Sequence, residues 1–175
     1  REAIPVLAGY CDALAVRAFA SLSDLERDLA DAEIAAMAEL APVPFVNLES
    51  AADHPCQALG DWKTLDELGV PRRGKLVLSW ANHPKPLPLA VPAAVAEMAA
   101  LRGMELTVLR PAAYAFPPAL AARVARAAKL MHCLPVRRDV VVSSALLDSP
   151  RSAVVRQAHN RLYAQMAVLH RLLAS

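Results

Sequence analysis

Apolar positions along the chain switch between spacings of three and four and short continuous runs. That rhythm predicts helices and strands in alternation. Residues 1–9 read as the end of a helix closed by Gly9, and 12–17 (Asp-Ala-Leu-Ala-Val-Arg) as a short buried strand. A helix is predicted from Ser23, with Glu26 completing a capping box and Leu22, Leu25, Leu29, Ala36 and Leu40 as its apolar stripe. Pro42 and Pro44 end it, and 44–48 is a second strand. The next helix spans 53–68, with Asp53 as N-cap and Pro55 in the first turn, and stops at Gly69 and Pro71. Strands at 76–80 and 106–109 flank a helix over 91–102 that ends at Gly103. The roughly 30 residues from one strand to the other match a βαβ unit. A helix over 118–128 follows, then short strands at 130–134 and 153–155. The terminal helix carries Ala158, Leu162, Met166, Leu169 and Leu173 on one face.

Short strands alternating with helices imply an α/β fold with a mostly parallel sheet, which gathers ligand-binding groups at the carboxyl ends of its strands. Two places break the rhythm. Pro84, Pro86, Pro88 and Pro92 predict a stiff, extended loop over 81–92. At Ala128–Lys129 a helical pattern meets a strand pattern without turn residues, although connections usually take about 2–6 residues. Either no helix forms there, or residues of a longer protein are missing at that point. The opening Arg1-Glu2-Ala3 reads like the interior of a helix, so truncation is also expected at the N-terminus.

Composition narrows the functional classes. The 175 residues suit one large domain or two small ones. A net charge of +2 argues against nucleic-acid binding through a strongly basic face. A hydrophobic content of 56% against 21% charged residues argues against disorder. No apolar run reaches the ~18 residues of a membrane span. Cys11, Cys56 and Cys133, odd in number and widely spaced, fit a reducing cytoplasm better than a disulfide scaffold. The five glycines form neither GxGxxG nor a P-loop, so nucleotide chemistry is not indicated. Metal binding fits poorly: His132 and Cys133 are neighbours on a predicted strand and point to opposite faces, and His54 and Cys56 straddle Pro55.

Polar groups then matter most where strands end. Arg17 closes the first strand, and Glu49 follows the second. His54 and Gln57 open the next helix, and His83 follows the third strand. His132-Cys133-Leu134-Pro135-Val136-Arg137-Arg138 follows a later one, and Arg161 enters the last helix. Cations converging with a helix N-terminus suit a small anion of phosphate-like charge. Each residue alone also has a plainer reading: Arg17 as a solvated strand end, His83 as surface, Glu49 as a helix cap.

Three segments taken together resemble the aspartate/ornithine transcarbamylase family. They are Phe45-Val46-Asn47-Leu48-Glu49, His54-Pro55-Cys56-Gln57-Ala58-Leu59 and His132-Cys133-Leu134-Pro135, followed by Asn160-Arg161. His83-Pro84-Lys85-Pro86-Leu87 and the extended HCLPVRR resemble the N-acylornithine subgroup. The Glu49-to-His54 spacing, the Pro86–Pro92 run and Val141, where the acetyl branch has a Lys, resemble its N-succinylornithine branch more than its N-acetylornithine branch.

The resemblance implies transfer of the carbamoyl group of carbamoyl phosphate to the δ-amine of an N-acylated ornithine, in arginine biosynthesis. It also implies a two-domain transcarbamylase-like fold, a homotrimer, and no metal or organic cofactor. Residues 1–52 would be the remnant of a carbamoyl-phosphate domain. Residues 53–155 would form the amino-acid-binding domain, and 156–175 a C-terminal helix packing back on the first. By similarity, Arg17, His54, Gln57 and Arg161 and the backbone carbonyls of Cys133 and Leu134 contact carbamoyl phosphate. Glu49, His83 and Arg137 contact the acylornithine. The family's Ser-Thr-Arg phosphate-binding quartet has no counterpart in the sequence. That departure keeps a non-catalytic binding subunit as an alternative, beside a transferase for free ornithine.

Overall fold

The computed structural model of the chain describes residues 2–79, 88–109, 131, 134, 136–139, 142–150 and 152–174. The predicted 118–128 helix and the Ala128–Lys129 junction lie outside these residues, as do His83, Lys85, Cys133 and Val141.

The chain opens with helix α1 (Ala3–Ala8) and strand β1 (Leu14–Arg17). Helices α2 (Leu25–Ala30) and α3 (Ala32–Leu40) follow, then strand β2 (Phe45–Glu49) and helix α4 (Pro55–Glu67). Strand β3 (Lys75–Ser79), helix α5 (Ala90–Arg102) and strand β4 (Glu105–Leu109) make the βαβ unit. Short α6 (Ser144–Leu147) precedes the long α7 (Val154–Leu173). The strands pair in parallel, β1 with β2 and β3 with β4. The expected α/β class with parallel strands and flanking helices is therefore the observed one. Among the described residues no helix is long and apolar enough to cross a membrane.

Several local expectations need correcting. The helix predicted from Ser23 is two helices. Its N-cap is Asp24, whose carboxylate accepts from Arg27 N at 3.0 Å. Ser23 instead donates its hydroxyl to Ser21. The break falls at Asp31, which takes the left-handed conformation (φ 50°). There its carboxylate accepts from Ser50 Oγ and Ala51 N, so the side chain ties the helix pair to the loop before α4. Aspartate tolerates this backbone better than most residues because of such local bonding. The apolar stripe Leu22, Leu25, Leu29 and Leu40 is exposed, and Ile34 alone is buried on α3. The N-cap of α4 is His54 rather than Asp53, whose carboxylate accepts from His54 N at 2.7 Å. Of the stretch expected to be an extended loop over 81–92, residues 81–87 lie outside the described residues, and from Ala90 on it is α5, with Pro92 in the first turn, a position that needs no helical N–H.

The predicted strand at 153–155 is the start of α7, and the face assigned to that helix is reversed. Its buried residues are Val154, Gln157, Asn160 and Ala164, whereas Leu162, Met166 and Leu173 are exposed. Hydrogen bonding to α4, rather than apolar burial, decides which side of α7 turns inward.

The apolar core lies under the second strand pair: Leu65, Ala96, Met98, Ala99, Met104 and Leu106, with Trp62, Leu76 and Val108 packed against it. The alanines of α5 allow close helix approach. Its last turn is fastened by Arg102, buried over the Trp62 ring, which donates to Asp66 Oδ1 and to the Val70 carbonyl, each at 2.6 Å. Leu65→Ala should lower unfolding free energy by about 2–5 kcal/mol in a denaturant titration, since a buried leucine leaves a cavity on truncation. A loss below about 1 kcal/mol would mean this cluster is not the core.

Candidate active site

The site grows from the carboxyl ends of β1 and β2. Register runs Leu14 with Phe45, Ala15 with Val46 and Val16 with Asn47, and then slips so that Arg17 pairs with Glu49. Such an irregularity re-aims side chains at a sheet end, and bulges recur beside active sites. Here it sets the Arg17 guanidinium against the Glu49 carboxylate as an ion pair. Ala18 N also donates to the Glu49 carbonyl at 2.8 Å. The Phe19 ring lies 4.7 Å from the guanidinium carbon and covers its other side.

The turn from β2 into α4 is built to deliver His54. Ser50 N donates to the Asp53 carbonyl at 2.8 Å, and Asp53 N donates back to Ser50 Oγ at 3.1 Å. His54 then emerges with its side chain only 3% exposed and Nε2 3.6 Å from Glu49 Oε2. That separation exceeds a hydrogen bond. Nδ1 is buried and has no hydrogen-bond partner among the described residues. One turn on, Gln57 is completely buried, and its Nε2 donates to Asp61 Oδ1 at 2.6 Å while Oε1 has no partner among the described residues.

Helix α7 supplies the far wall. Gln157 Nε2 donates to the same Asp61 Oδ1 at 2.6 Å. Asn160 Nδ2 donates to Thr64 Oγ1 at 2.8 Å and to Glu67 Oε2 at 2.9 Å. Gly60 makes this packing fit: a Cβ there would lie 3.2 Å from Arg161 Cγ and 3.2 Å from Arg161 N. Arg161 therefore rides on the backbone of α4, where its charge acts on His54, Asp61 and Cys56.

Burial dominates the electrostatics. It holds the His54 imidazole neutral, with its pKa pushed down to about 4; nearby Glu49 opposes that shift, and Arg161 and Arg17 reinforce it. Burial raises the Asp61 carboxyl to about 6, against the bonds from Gln157 and Gln57 and the charge of Arg161. At neutral pH the site thus combines two guanidiniums, two carboxylates and an uncharged imidazole. Such a set can bind a small dianion and offer both donors and acceptors to a neutral acyl group.

Of the residues expected from sequence, Arg17, Glu49, His54 and Gln57 come together, with Arg161 beside them. Leu134 is half-buried in the left-handed region (φ 51°), an unusual conformation for a leucine. Strain of this kind clusters at functional sites. Arg137 is exposed. His83 and Cys133 are not among the described residues. Sequence reasoning missed Asp61 and Thr64, and Gln157 on α7; Asn160 figures there only as part of the Asn160-Arg161 pair, without a contact. The signal for Asp61 and Thr64 is a polar stripe at helical spacing, His54-Gln57-Asp61-Thr64, on a helix also expected to bury a face.

These features can be set beside known proteins. Residues 1–67 match the aspartate/ornithine carbamoyltransferase carbamoyl-P binding domain, and 108–172 the Asp/Orn binding domain. The N-succinylornithine carbamoyltransferase of Bacteroides fragilis is 30% identical, covering 98% of this chain and 69% of its own length. The N-acetylornithine carbamoyltransferase of Xanthomonas campestris is 28% identical, covering 96% and 69%. A crystal structure of acetylornithine transcarbamylase complexed with acetylcitrulline superposes with TM-score 0.88 at 26% identity, over 98% of this chain and 71% of that one. The chain belongs to the aspartate/ornithine carbamoyltransferase family. The match to the Bacteroides protein extends over 220 residues against 175 here, so that relative carries stretches with no counterpart in this chain.

The sign of the pH effect follows from the two shifts. An unfolded imidazole takes its proton near 6.5 and the folded His54 only near 4, so His54 disfavours the fold progressively as pH falls between those values. Asp61 acts oppositely, because its folded carboxyl takes a proton near 6 and the unfolded one near 3.8. A histidine-selective NMR titration should find His54 neutral at pH 6 and protonating near pH 4. Titration near pH 6.5 would contradict its burial.

Proposed function

We propose that this chain transfers the carbamoyl group of carbamoyl phosphate to the δ-amine of an N-acylated ornithine, a step of arginine biosynthesis. The observation that carries the reading is the meeting of Arg17, Glu49, His54, Gln57 and Arg161 at one sheet end and one helix seam, in a chain whose relatives are named for this transfer. N-Succinylornithine is the preferred acceptor in this reading, on the Glu49–His54 spacing, the Pro86–Pro92 run and Val141. The working protein is proposed as a cytoplasmic homotrimer.

The reaction needs placement and charge stabilisation more than a covalent intermediate. The uncharged δ-amine attacks the carbamoyl carbon, the carbonyl oxygen gains negative charge, and phosphate leaves with the electrons of the C–O bond and takes up the proton that the attacking nitrogen loses. Arg17 and Arg161 bind the phosphate group. Arg17 exchanges its Glu49 partner for phosphate oxygens, one charge-assisted contact for another. His54, neutral because it is buried, donates an N–H to the developing oxyanion without giving up a full proton. Gln57 Oε1 accepts from the carbamoyl NH₂. The carbonyls of Cys133 and Leu134 hold the carbamoyl and attacking amino groups, which present only N–H donors. The positive φ of Leu134 supports a special backbone orientation there. Glu49, His83 and Arg137 receive the acylornithine, with Arg137 forked onto a carboxylate.

Full-length protein given carbamoyl phosphate and N-succinylornithine should release phosphate, faster than with N-acetylornithine and far faster than with free ornithine. No release with either acylated amine would refute the reading. Arg161→Met should reduce kcat/KM for carbamoyl phosphate by about 10²–10³, the usual loss on removing one charge-stabilising donor. Arg137→Ala should instead raise KM for the acylornithine while leaving that for carbamoyl phosphate within about twofold; equal weakening of both contradicts its role.

A further inference from the structure

The buried carboxylate of Asp61 lies outside the set of groups assigned to substrate, yet it touches one of them. Its Oδ1 accepts from Gln57 Nε2 and from Gln157 Nε2, both at 2.6 Å, and the residue is 2% exposed. An ionised carboxylate accepts hydrogen bonds and donates none. A primary amide can be rotated by half a turn with almost no change of shape, so only its partners decide which end faces where. At Gln57 that decision rests on Asp61: the NH₂ end must face the carboxylate, and the oxygen must face away. The oxygen is indeed the end left buried without a partner among the described residues, one turn of α4 from His54.

We propose that Asp61 is a positioning residue for the transfer reaction: it fixes the amide of Gln57 with the oxygen presented to the carbamoyl NH₂ and, through Gln157, makes that orientation depend on the docking of α7. The inference rests on the assignment of Gln57 to the carbamoyl group. A rotated Gln57 would present an NH₂ to the substrate's NH₂, two donors in contact with no acceptor between them. Gln157 closes the arrangement from the other helix, 96 residues away in sequence, so a displaced α7 removes one of the two N–H groups holding the carboxylate in place. Arg161, one turn further along α7, adds a positive charge that favours the ionised form.

A double-mutant cycle in the full-length enzyme separates the ideas. Asp61→Asn keeps shape and removes the charge and the acceptor-only character. It should lower kcat/KM for carbamoyl phosphate about 10–100-fold, while the thermal midpoint stays within a few degrees. In a Gln57→Ala background the same change should cost less than about threefold, because the group it orients is gone. An equal loss in both backgrounds, or activity falling only in step with the thermal midpoint, overturns the proposal and leaves Asp61 as a packing residue. If Gln57→Ala itself leaves carbamoyl-phosphate kinetics unchanged, the assignment of Gln57 fails first. Should Asp61→Asn not fold, the exchange Gln57→Glu with Asp61→Asn restores a donor-to-carboxylate bond with an acceptor oxygen facing outward. That pair should recover at least about tenfold over Gln57→Glu alone, in which two carboxylates are forced together. No recovery counts against the proposal.

Discussion

One buried acceptor organises the seam between α4 and α7. The carboxylate of Asp61 lies between two helices and takes an amide N–H from each of them. A charge in such a place is tolerable only if it is well bonded, since removing an ion from water costs several kcal/mol even after relaxation. The need to satisfy it fixes the rotation of α7 about its own axis. Gln157 and Asn160 must face α4, and leucines that would otherwise turn inward are left outside. Gly60 permits the approach, and Arg161 follows from it.

The site inherits its electrostatic character from the same packing. Arg17 and Arg161 are balanced by Glu49 and Asp61, and His54 is kept uncharged between them. Charges paired with one another can be held near the interior without a substrate. In the proposed reaction the phosphate of carbamoyl phosphate would meet the Arg17 guanidinium already held by Glu49, and would need only to replace that carboxylate. The irregular register of β1 and β2 and the Asp31 tether do the aiming on the other side.

Much of this was legible in the residues. The alternation of elements, the βαβ unit and the stop at Gly103 follow from local pattern, and the structure has each of them. The grouping of Arg17, Glu49, His54 and Gln57 was legible because those residues stand at strand ends and a helix start, where parallel α/β folds bind ligands; Arg161, expected at the entry of the last helix, lies two turns inside α7. The failures have a common cause. The reading assumed that helices bury their apolar face, which holds for α5 and fails for α7, where hydrogen bonds outrank hydrophobic area. The expected strand at 153–155 is instead the start of α7, where the β propensity of Val154 and Val155 gives way to helix docking. The split at Asp31 depends on a loop 19 residues further on, a partner that no local window contains.

The seam between α4 and α7 also has a history in time. Gln157 meets Asp61 and Asn160 meets Thr64 across 96 residues of chain each. Loop-closure entropy must be spent before contacts of such separation return anything, so they form late and slow the search. The β3–α5–β4 unit, whose partners are near in sequence, can assemble without them. The seam between α4 and α7 therefore closes only after α7 has left the ribosome, later than the β3–α5–β4 unit can form.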